Sequence, residues 1–267
     1  MLPQLEILDP PVIYGTAVID WLLERKSELP GFLVVVPTAQ SSRRLRQGLA
    51  EKGALLVPKV VTTGFLMAGG DCAPDSVEVL AWVEALESVK NWEEYGAIFP
   101  TSPAGEVAGW ALGLARAFMD LRKGLQENGL MLSSAARMVA SLEQERWEQL
   151  ATLEEVVEEN LKSWGYESKS SRLANGEGSL PEGVERGGIA GVLDLPPVVT
   201  GIIEKAGFPV SVLVPDARVD EWGRPGADWN DTQISWPESG GVTLTGDPRQ
   251  QADLAVAQVA LAGSESE

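Results

Sequence analysis

The sequence predicts an α/β protein with a parallel sheet and an all-helical insertion. Residues 32–36 (FLVVV) form a continuous apolar run between two proline-containing turns, which is typical of a strand buried on both faces of a parallel sheet. Residues 188–214 show a strand–helix–strand pattern, which implies two parallel strands joined by a right-handed crossover. Residues 75–184 show helical periodicity instead. We therefore expect a discontinuous α/β core, residues 1–74 and 185–267, with the helical insertion between its two parts.

Two helices and a second strand are predicted next to the first strand. Apolar residues at helical spacing predict a helix over residues 14–28 that covers one face of the sheet. Thr38 is a typical N-cap for a helix over residues 39–52, and Gly53 is a typical stop. Residues 55–63 then predict a second strand.

The insertion contains three apolar stripes at helical spacing. They lie on residues 79–89, on residues 107–121, and on a third element that starts near Ser133 and includes Met138 and Leu142. Each stripe predicts a helix that packs against the others.

Seven glutamates are present from Glu143 to Glu159. We expect them to form a solvated helix face, and a metal site or a contact for a basic partner is the alternative. Residues 168–188 are rich in Ser, Gly and Glu, which predicts an exposed connection back to the sheet.

The C-terminal part returns to strands and helices. Strands are predicted at 188–192, 210–214 and 242–244, helices at 196–206 and 249–261, and a loop with Trp222, Trp229 and Trp236 at 215–240.

Composition excludes several classes of function. The 267 residues carry a net charge of −18, which repels phosphate backbones at long range, so any DNA contact must be local or assisted by a partner. The absence of histidine excludes Ser-His, Cys-His and His-metal mechanisms, and the single Cys72 excludes an internal disulfide and a cysteine zinc cluster. No secretory segment or bilayer-length apolar run is seen, so we predict a cytoplasmic protein without a membrane contact. We predict no metal and no cofactor.

The strand–turn–helix at residues 32–49 has the position of a phosphate loop in nucleotide-binding folds, because amides at a helix N-terminus attract anions. However, the turn lacks the glycines and the lysine that a P-loop needs, so we do not expect ATP hydrolysis. A weak anion site at Thr38, Ser41 and Ser42 stays open as a minor hypothesis.

The same helix holds the main concentration of positive charge. The basic residues are Arg43, Arg44, Arg46, Lys52 and Lys59, against the single Glu51. Solvent-facing arginines on an amphipathic helix are one interpretation. The other is a phosphate or acidic-partner contact that weakens with salt.

Other polar and aromatic residues are candidates for a site beyond strand ends. Asp194, Asp220 and Glu221 could hold a divalent metal in an α/β enzyme, although Asp194 also suits the N-cap of the following helix. Trp222 and Trp229 could stack on a base or a partner, or they could close a loop over the core.

Two segments resemble a known family. Residues 32–46 (FLVVVPTAQSSRRLR) and 55–62 (LLVPKVVT) resemble the N-terminal region of AddB/RexB-type subunits of ATP-dependent nucleases, which are related to RecC. Residues 188–214 and 242–259 are similar to later strands and helices of that family.

The resemblance implies an inactivated superfamily 1 (UvrD-like) helicase domain with a P-loop-NTPase-like core. It implies an AddA-type motor subunit and DNA as partners in double-strand break repair and recombination. The chain has neither a Walker lysine nor room for the family's nuclease domain, so we expect a non-catalytic DNA-handling scaffold, and a piece of a longer protein. The alternatives are the metal-dependent enzyme above and an acidic protein-interaction module whose binding surface is the insertion.

Overall fold

Two compact units make up the chain, Met1–Gly226 and Ala227–Glu267. The computed structural model describes residues 3–8, 14–68, 70, 72–104, 108–226 and 250–256. In the second unit, residues 250–256 are helical. The predicted strand at 242–244 and the rest of the predicted helix at 249–261 lie outside the described residues.

A five-stranded parallel sheet forms the centre of the first unit, and it confirms the predicted α/β class. The strands run in the order β1-β5-β4-β2-β3, and all neighbours are parallel. Val35 of β2 lies opposite Val61 of β3 and Ile189 of β4. The strands are β1 Gln4–Ile7, β2 Phe32–Val36, β3 Lys59–Thr62, β4 Arg186–Ala190 and β5 Val210–Val214.

Nine α-helices lie in the described part of the first unit. They are α1 Tyr14–Leu23, α2 Ala39–Glu51, α3 Thr63–Leu66, α4 Asp75–Glu87, α5 Trp110–Gln126, α6 Leu132–Met138, α7 Ser141–Ser163, α8 Lys169–Ala174 and α9 Pro197–Ala206. Within the described residues, no helix has both the length and the apolar character that are needed to cross a bilayer.

Helices pack on both faces of β2, which explains its unbroken apolar sequence. Val34 and Val36 belong to a buried cluster with α1 and α2, whereas Leu33 and Val35 belong to a second cluster that includes Ile202 of α9. All five residues of β2 are buried. Since successive side chains of a strand point to opposite faces, a strand covered on both faces must be apolar throughout.

The edges of the sheet differ from the prediction. β1 was not predicted, because four residues of mixed polarity at a sheet edge leave too weak a pattern. β3 begins at Lys59, not at residue 55, and Leu55 is 97% exposed. The register of β3 on β2 explains this start. Lys59 lies opposite Leu33, near the beginning of β2, so most of residues 55–58 would face the 3-10 turn Leu29–Gly31 and not a strand. α1 also ends earlier than predicted, at Leu23.

The helices between β3 and β4 have a hydrophobic core of their own. Trp82 of α4 and Phe118 of α5 are buried in it, as the first two predicted stripes required, and Leu153 of α7, from the third predicted element, is buried there too. The third stripe is divided into α6 and α7. Met138 and Leu142 lie at that junction and are 72% and 96% exposed, so their predicted inward position is wrong.

The predicted exposed connection at residues 168–188 contains a helix, α8, and part of it is buried. Ser168 caps α8 by accepting a hydrogen bond from the Ser171 amide at 3.0 Å, and Ser168 is fully buried. Ser170 is also buried and accepts a hydrogen bond from Gln126 Nε2 of α5 at 2.6 Å. Polar residues in this stretch therefore bind α8 to the helical core.

A buried arginine joins the helices of this region. Arg122 of α5 is 1% exposed and lies near three carboxylates. Its Nη2 donates a hydrogen bond to Glu158 Oε1 at 2.6 Å, its Nε is 3.0 Å from Glu154 Oε1, and its Nη1 is 3.8 Å from Glu78 Oε2. The second carboxylate oxygen of Glu154 accepts a hydrogen bond from the Leu132 amide at the start of α6. The second oxygen of Glu78 accepts one from the Lys169 amide at the start of α8.

Two of these glutamates correct the predicted solvated face of α7. Glu154 is 1% exposed, and Glu158 is only partly exposed. Burial raises the pKa of Glu154 and of Glu78, and the charge of Arg122 offsets part of that rise. The helical region thus depends on one cation that neutralises carboxylates from α4 and α7.

Replacing Arg122 with Met should lower the free energy of unfolding by about 3–5 kcal/mol, because it leaves buried carboxylates without their cation. Urea denaturation followed by tryptophan fluorescence measures this loss. Lys123→Met is the matched control, since Lys123 is the next residue of α5 and its side chain is 54% exposed. Its ion pairs lie at the surface, so we expect a change within about 1 kcal/mol. Equal losses for both variants would contradict the structural role of Arg122.

The free energy of unfolding should also fall as pH rises through a window that starts at the ordinary Glu pKa of 4.5 and extends to higher pH. The folded pKa values of Glu78 and Glu154 are raised, so the native state holds more protons than the unfolded chain in this window. Glu154→Gln should therefore make the fall in stability above the ordinary Glu pKa of 4.5 shallower. Urea midpoints at each pH measure the effect. Glu155→Gln removes the same charge at an exposed position of α7, and an equal flattening in that variant would refute the assignment.

Candidate functional site

The link from β2 to α2 is two residues long, Pro37 and Thr38. Thr38 is the N-cap, as predicted, and its Oγ1 accepts a hydrogen bond from the Ser41 amide at 3.0 Å. The Thr38 and Ser41 hydroxyls are also 2.9 Å apart and hydrogen-bonded. The helix start therefore satisfies one of its own amides with its own side chain.

This geometry does not resemble a phosphate-binding loop. Such a loop is glycine-rich and long enough for several amides to surround a phosphate, with a lysine reaching the terminal phosphates. Here the strand passes almost directly into the helix. Ser42, one of the three predicted anion ligands, is buried and directs its hydroxyl to the Val60 carbonyl at 3.4 Å, so it does not face an anion at the helix start.

The basic residues of α2 do not form one cluster, because they point to different sides of the helix. Arg43 and Arg46 line a groove between α2 and the edge strand β3, whereas Arg44 lines a separate cavity near α1. Lys52 forms an ion pair with Asp20 and is thereby neutralised. Of the five predicted basic residues, only Arg43, Arg46 and Lys59 therefore lie on one continuous surface.

The groove beside β3, called the α2–β3 groove below, is open to solvent and has a volume of about 490 Å³. It brings together Arg43, Arg46 and Lys59. Arg46 Nη2 donates to the Val60 carbonyl at 2.8 Å, and Lys59 Nζ donates to the Pro30 carbonyl at 2.9 Å. Within the described residues, none of these three cations forms an ion pair with a carboxylate.

An aromatic side chain outside the predicted site residues also lines this groove. Phe65 of α3 is 46% exposed. The short helix α3 starts directly after β3, and its N-cap Thr62 accepts from the Phe65 amide at 3.3 Å. A phenylalanine one turn beyond a strand end, next to a basic helix, is the sequence signal that could have identified it.

A second concavity, called the switch-point cavity below, lies between the carboxyl ends of β2 and β4. It has a volume of about 390 Å³ and is lined by residues of α1, α2 and both strand ends. Arg44 and Tyr14 are its largest polar residues. The Tyr14 hydroxyl donates to the Leu213 carbonyl at 2.5 Å, and burial raises the pKa of Tyr14.

The predicted stacking and metal-binding residues have other roles or lie elsewhere. Trp222 is 4% exposed and belongs to the core below the sheet, so it closes a loop over the core and cannot stack on a ligand. Trp229 lies outside the described residues. Asp220 accepts from the Arg224 guanidinium and from backbone amides of its own turn.

The metal-dependent alternative needs Asp194, Asp220 and Glu221 at one point. Among the residues that the structure describes, no three acidic, cysteine or histidine side chains are grouped so that they could hold a metal ion. Asp194 is exposed in a turn, and α9 is capped at Pro196 without a side-chain hydrogen bond, so the predicted N-cap role of Asp194 is wrong as well.

No protein-family model matches this sequence, and no curated protein matches it significantly.

Thr38→Ala should lower the free energy of unfolding by about 1 kcal/mol, because the Ser41 amide loses its capping oxygen. Thr38→Ser keeps that oxygen and is the matched control. Chemical denaturation of both variants measures the difference. If the alanine variant were as stable as the serine variant, the Thr38 side chain would not be the cap that closes this helix start.

Proposed function

We propose that this chain is a non-catalytic, inactivated helicase-like domain that binds nucleic acid through the α2–β3 groove. The observation that supports this proposal is that one open groove brings together the exposed Phe65 ring and three cations that have no carboxylate partner among the residues described by the structure. Cations that contact phosphates and rings on which bases stack are the two components of single-strand binding surfaces.

The local charge of the groove contrasts with that of the whole chain. The net charge of −18 opposes long-range attraction of a polyanion, so the groove must act at short range. Arg43 is the most available phosphate ligand, because it makes no hydrogen bond or ion pair within the described residues, whereas Arg46 and Lys59 each share their donors with backbone carbonyls. We therefore propose weak, salt-sensitive binding.

The proposal excludes nucleotide-driven activity for this chain. The two-residue link before α2, the self-capped helix start and the lack of a lysine there support this part of the proposal, because a phosphate loop uses glycine amides and a lysine to hold a triphosphate with its magnesium. A domain that does not hydrolyse ATP can contact and guide a nucleic-acid strand, but it cannot drive that strand's movement. The resemblance to AddB/RexB-type subunits supplies the context that we propose, a scaffold beside an AddA-type motor subunit in break repair and recombination.

Binding of a fluorescently labelled oligo(dT) should weaken when Arg43 is replaced with Gln, because one phosphate contact is lost. The slope of log K against log salt between about 50 mM and about 200 mM should decrease by about 0.7, the increment for one phosphate of a single strand. Phe65→Ala should weaken binding by about 1–3 kcal/mol through loss of stacking, with little effect on the salt slope. Fluorescence anisotropy measures both.

Arg44→Gln is the control for this experiment, since it removes the same charge from the next residue of α2 but outside the groove. Equal effects of Arg43→Gln and Arg44→Gln would contradict the groove as the binding surface. Binding that is independent of salt, or steady phosphate release from ATP, would contradict the proposed function itself.

A further inference from the structure

The switch-point cavity lies where the connections of the sheet diverge. The chain leaves β2 through α2 towards β3 on one side of the sheet, and it leaves β4 through α9 towards β5 on the other. α2 and α9 belong to the clusters on opposite faces, so a crevice is left between the carboxyl ends of β2 and β4. Open α/β sheets bind their ligands at this topological position.

The lining of the cavity is mainly apolar. Val36 and Pro37 contribute from the end of β2, Ala190 from the end of β4, Val18 and Ile19 from α1, and Leu45 from α2. Gly191, with φ of +67°, brings the backbone close, because a Cβ there would lie 3.1 Å from the Tyr14 ring. The volume of about 390 Å³ falls in the range of small-molecule sites, about 300–1,000 Å³.

One cation lines this apolar cavity. Arg44 is exposed, so its side chain lies where the cavity meets solvent, and it makes no hydrogen bond or ion pair within the described residues. The Tyr14 hydroxyl is already bound to the Leu213 carbonyl, and the Ser41 hydroxyl to that of Thr38. Arg44 is therefore the charged group of the lining that remains available to a ligand.

We propose that the switch-point cavity binds a small organic anion with an apolar body, such as an aromatic or branched carboxylate or sulfonate. The apolar body would contact the ends of β2 and β4 and the inner residues of α1 and α2, and the anionic group would pair with Arg44. A nucleoside triphosphate does not fit this chemistry, because one arginine does not balance its charge and no loop surrounds its phosphates. This site lies on the other side of α2 from the α2–β3 groove and does not depend on the proposed function.

The test uses two probes of similar shape and different charge, anilinonaphthalene sulfonate and its neutral counterpart N-phenyl-naphthylamine. Both become fluorescent in an apolar site. Arg44→Gln should weaken sulfonate binding about tenfold, equivalent to about 1.4 kcal/mol, and should leave binding of the neutral probe unchanged. Arg43→Gln, the matched charge control, should change neither.

A blocking variant tests the location of the bound probe. Gly15 lines the cavity, and a Cβ built on it meets nothing within 4 Å, so Gly15→Phe places a ring in open space there. This variant should lose binding of both probes at an unchanged thermal midpoint. If the sulfonate bound equally well to the wild type and to Arg44→Gln, or not at all to the wild type, the proposal would be overturned. Oligo(dT) binding by Arg44→Gln, which should stay normal, separates this result from a failure of the proposed function.

Discussion

Burial of β2 on both faces is the constraint on which the rest of the structure depends. Its alternating side chains enter two separate cores, one under α1 and α2 and one under α9. Because both faces of this strand are apolar, layers of helices must cover both of them. α2 begins after a link of only two residues, Pro37 and Thr38. This geometry determines where the cap residue Thr38 lies, and it leaves no length for a loop that could surround a phosphate.

The position of α2 then distributes positive charge between two concavities. Arg43 and Arg46 face the edge strand β3, and Arg44 faces the crevice between β2 and β4. Residues one position apart on a helix differ by about 100° in direction, so adjacent arginines cannot serve one flat surface. The same stretch of sequence therefore contributes both to the groove that we propose binds nucleic acid and to the cavity that we propose binds a small organic anion.

The helical region is organised by a different principle. Arg122 lies among carboxylates from α4 and α7, two of which also cap the starts of α6 and α8 through their backbone amides. A buried ion cluster contributes little net stability compared with apolar packing, but removal of one member is costly. Glu78 and Glu154 thereby join the buried cation to the starts of α8 and α6, because each of these two carboxylates contacts both Arg122 and a backbone amide.

Elements with a local sequence pattern could be predicted from the amino-acid sequence. The apolar run of β2, the Thr38 cap, β5 and the first two stripes of the insertion have signals within a few residues, and the structure confirms them. Three features became visible with the folded chain: which polar residues are buried, which arginines share a groove, and that Trp222 belongs to the core. The physical reason is that burial and ion pairing depend on partners distant in sequence. Glu154 meets Arg122 from another helix, β1 exists only because β5 pairs with it, and neither relation leaves a periodic trace in the chain.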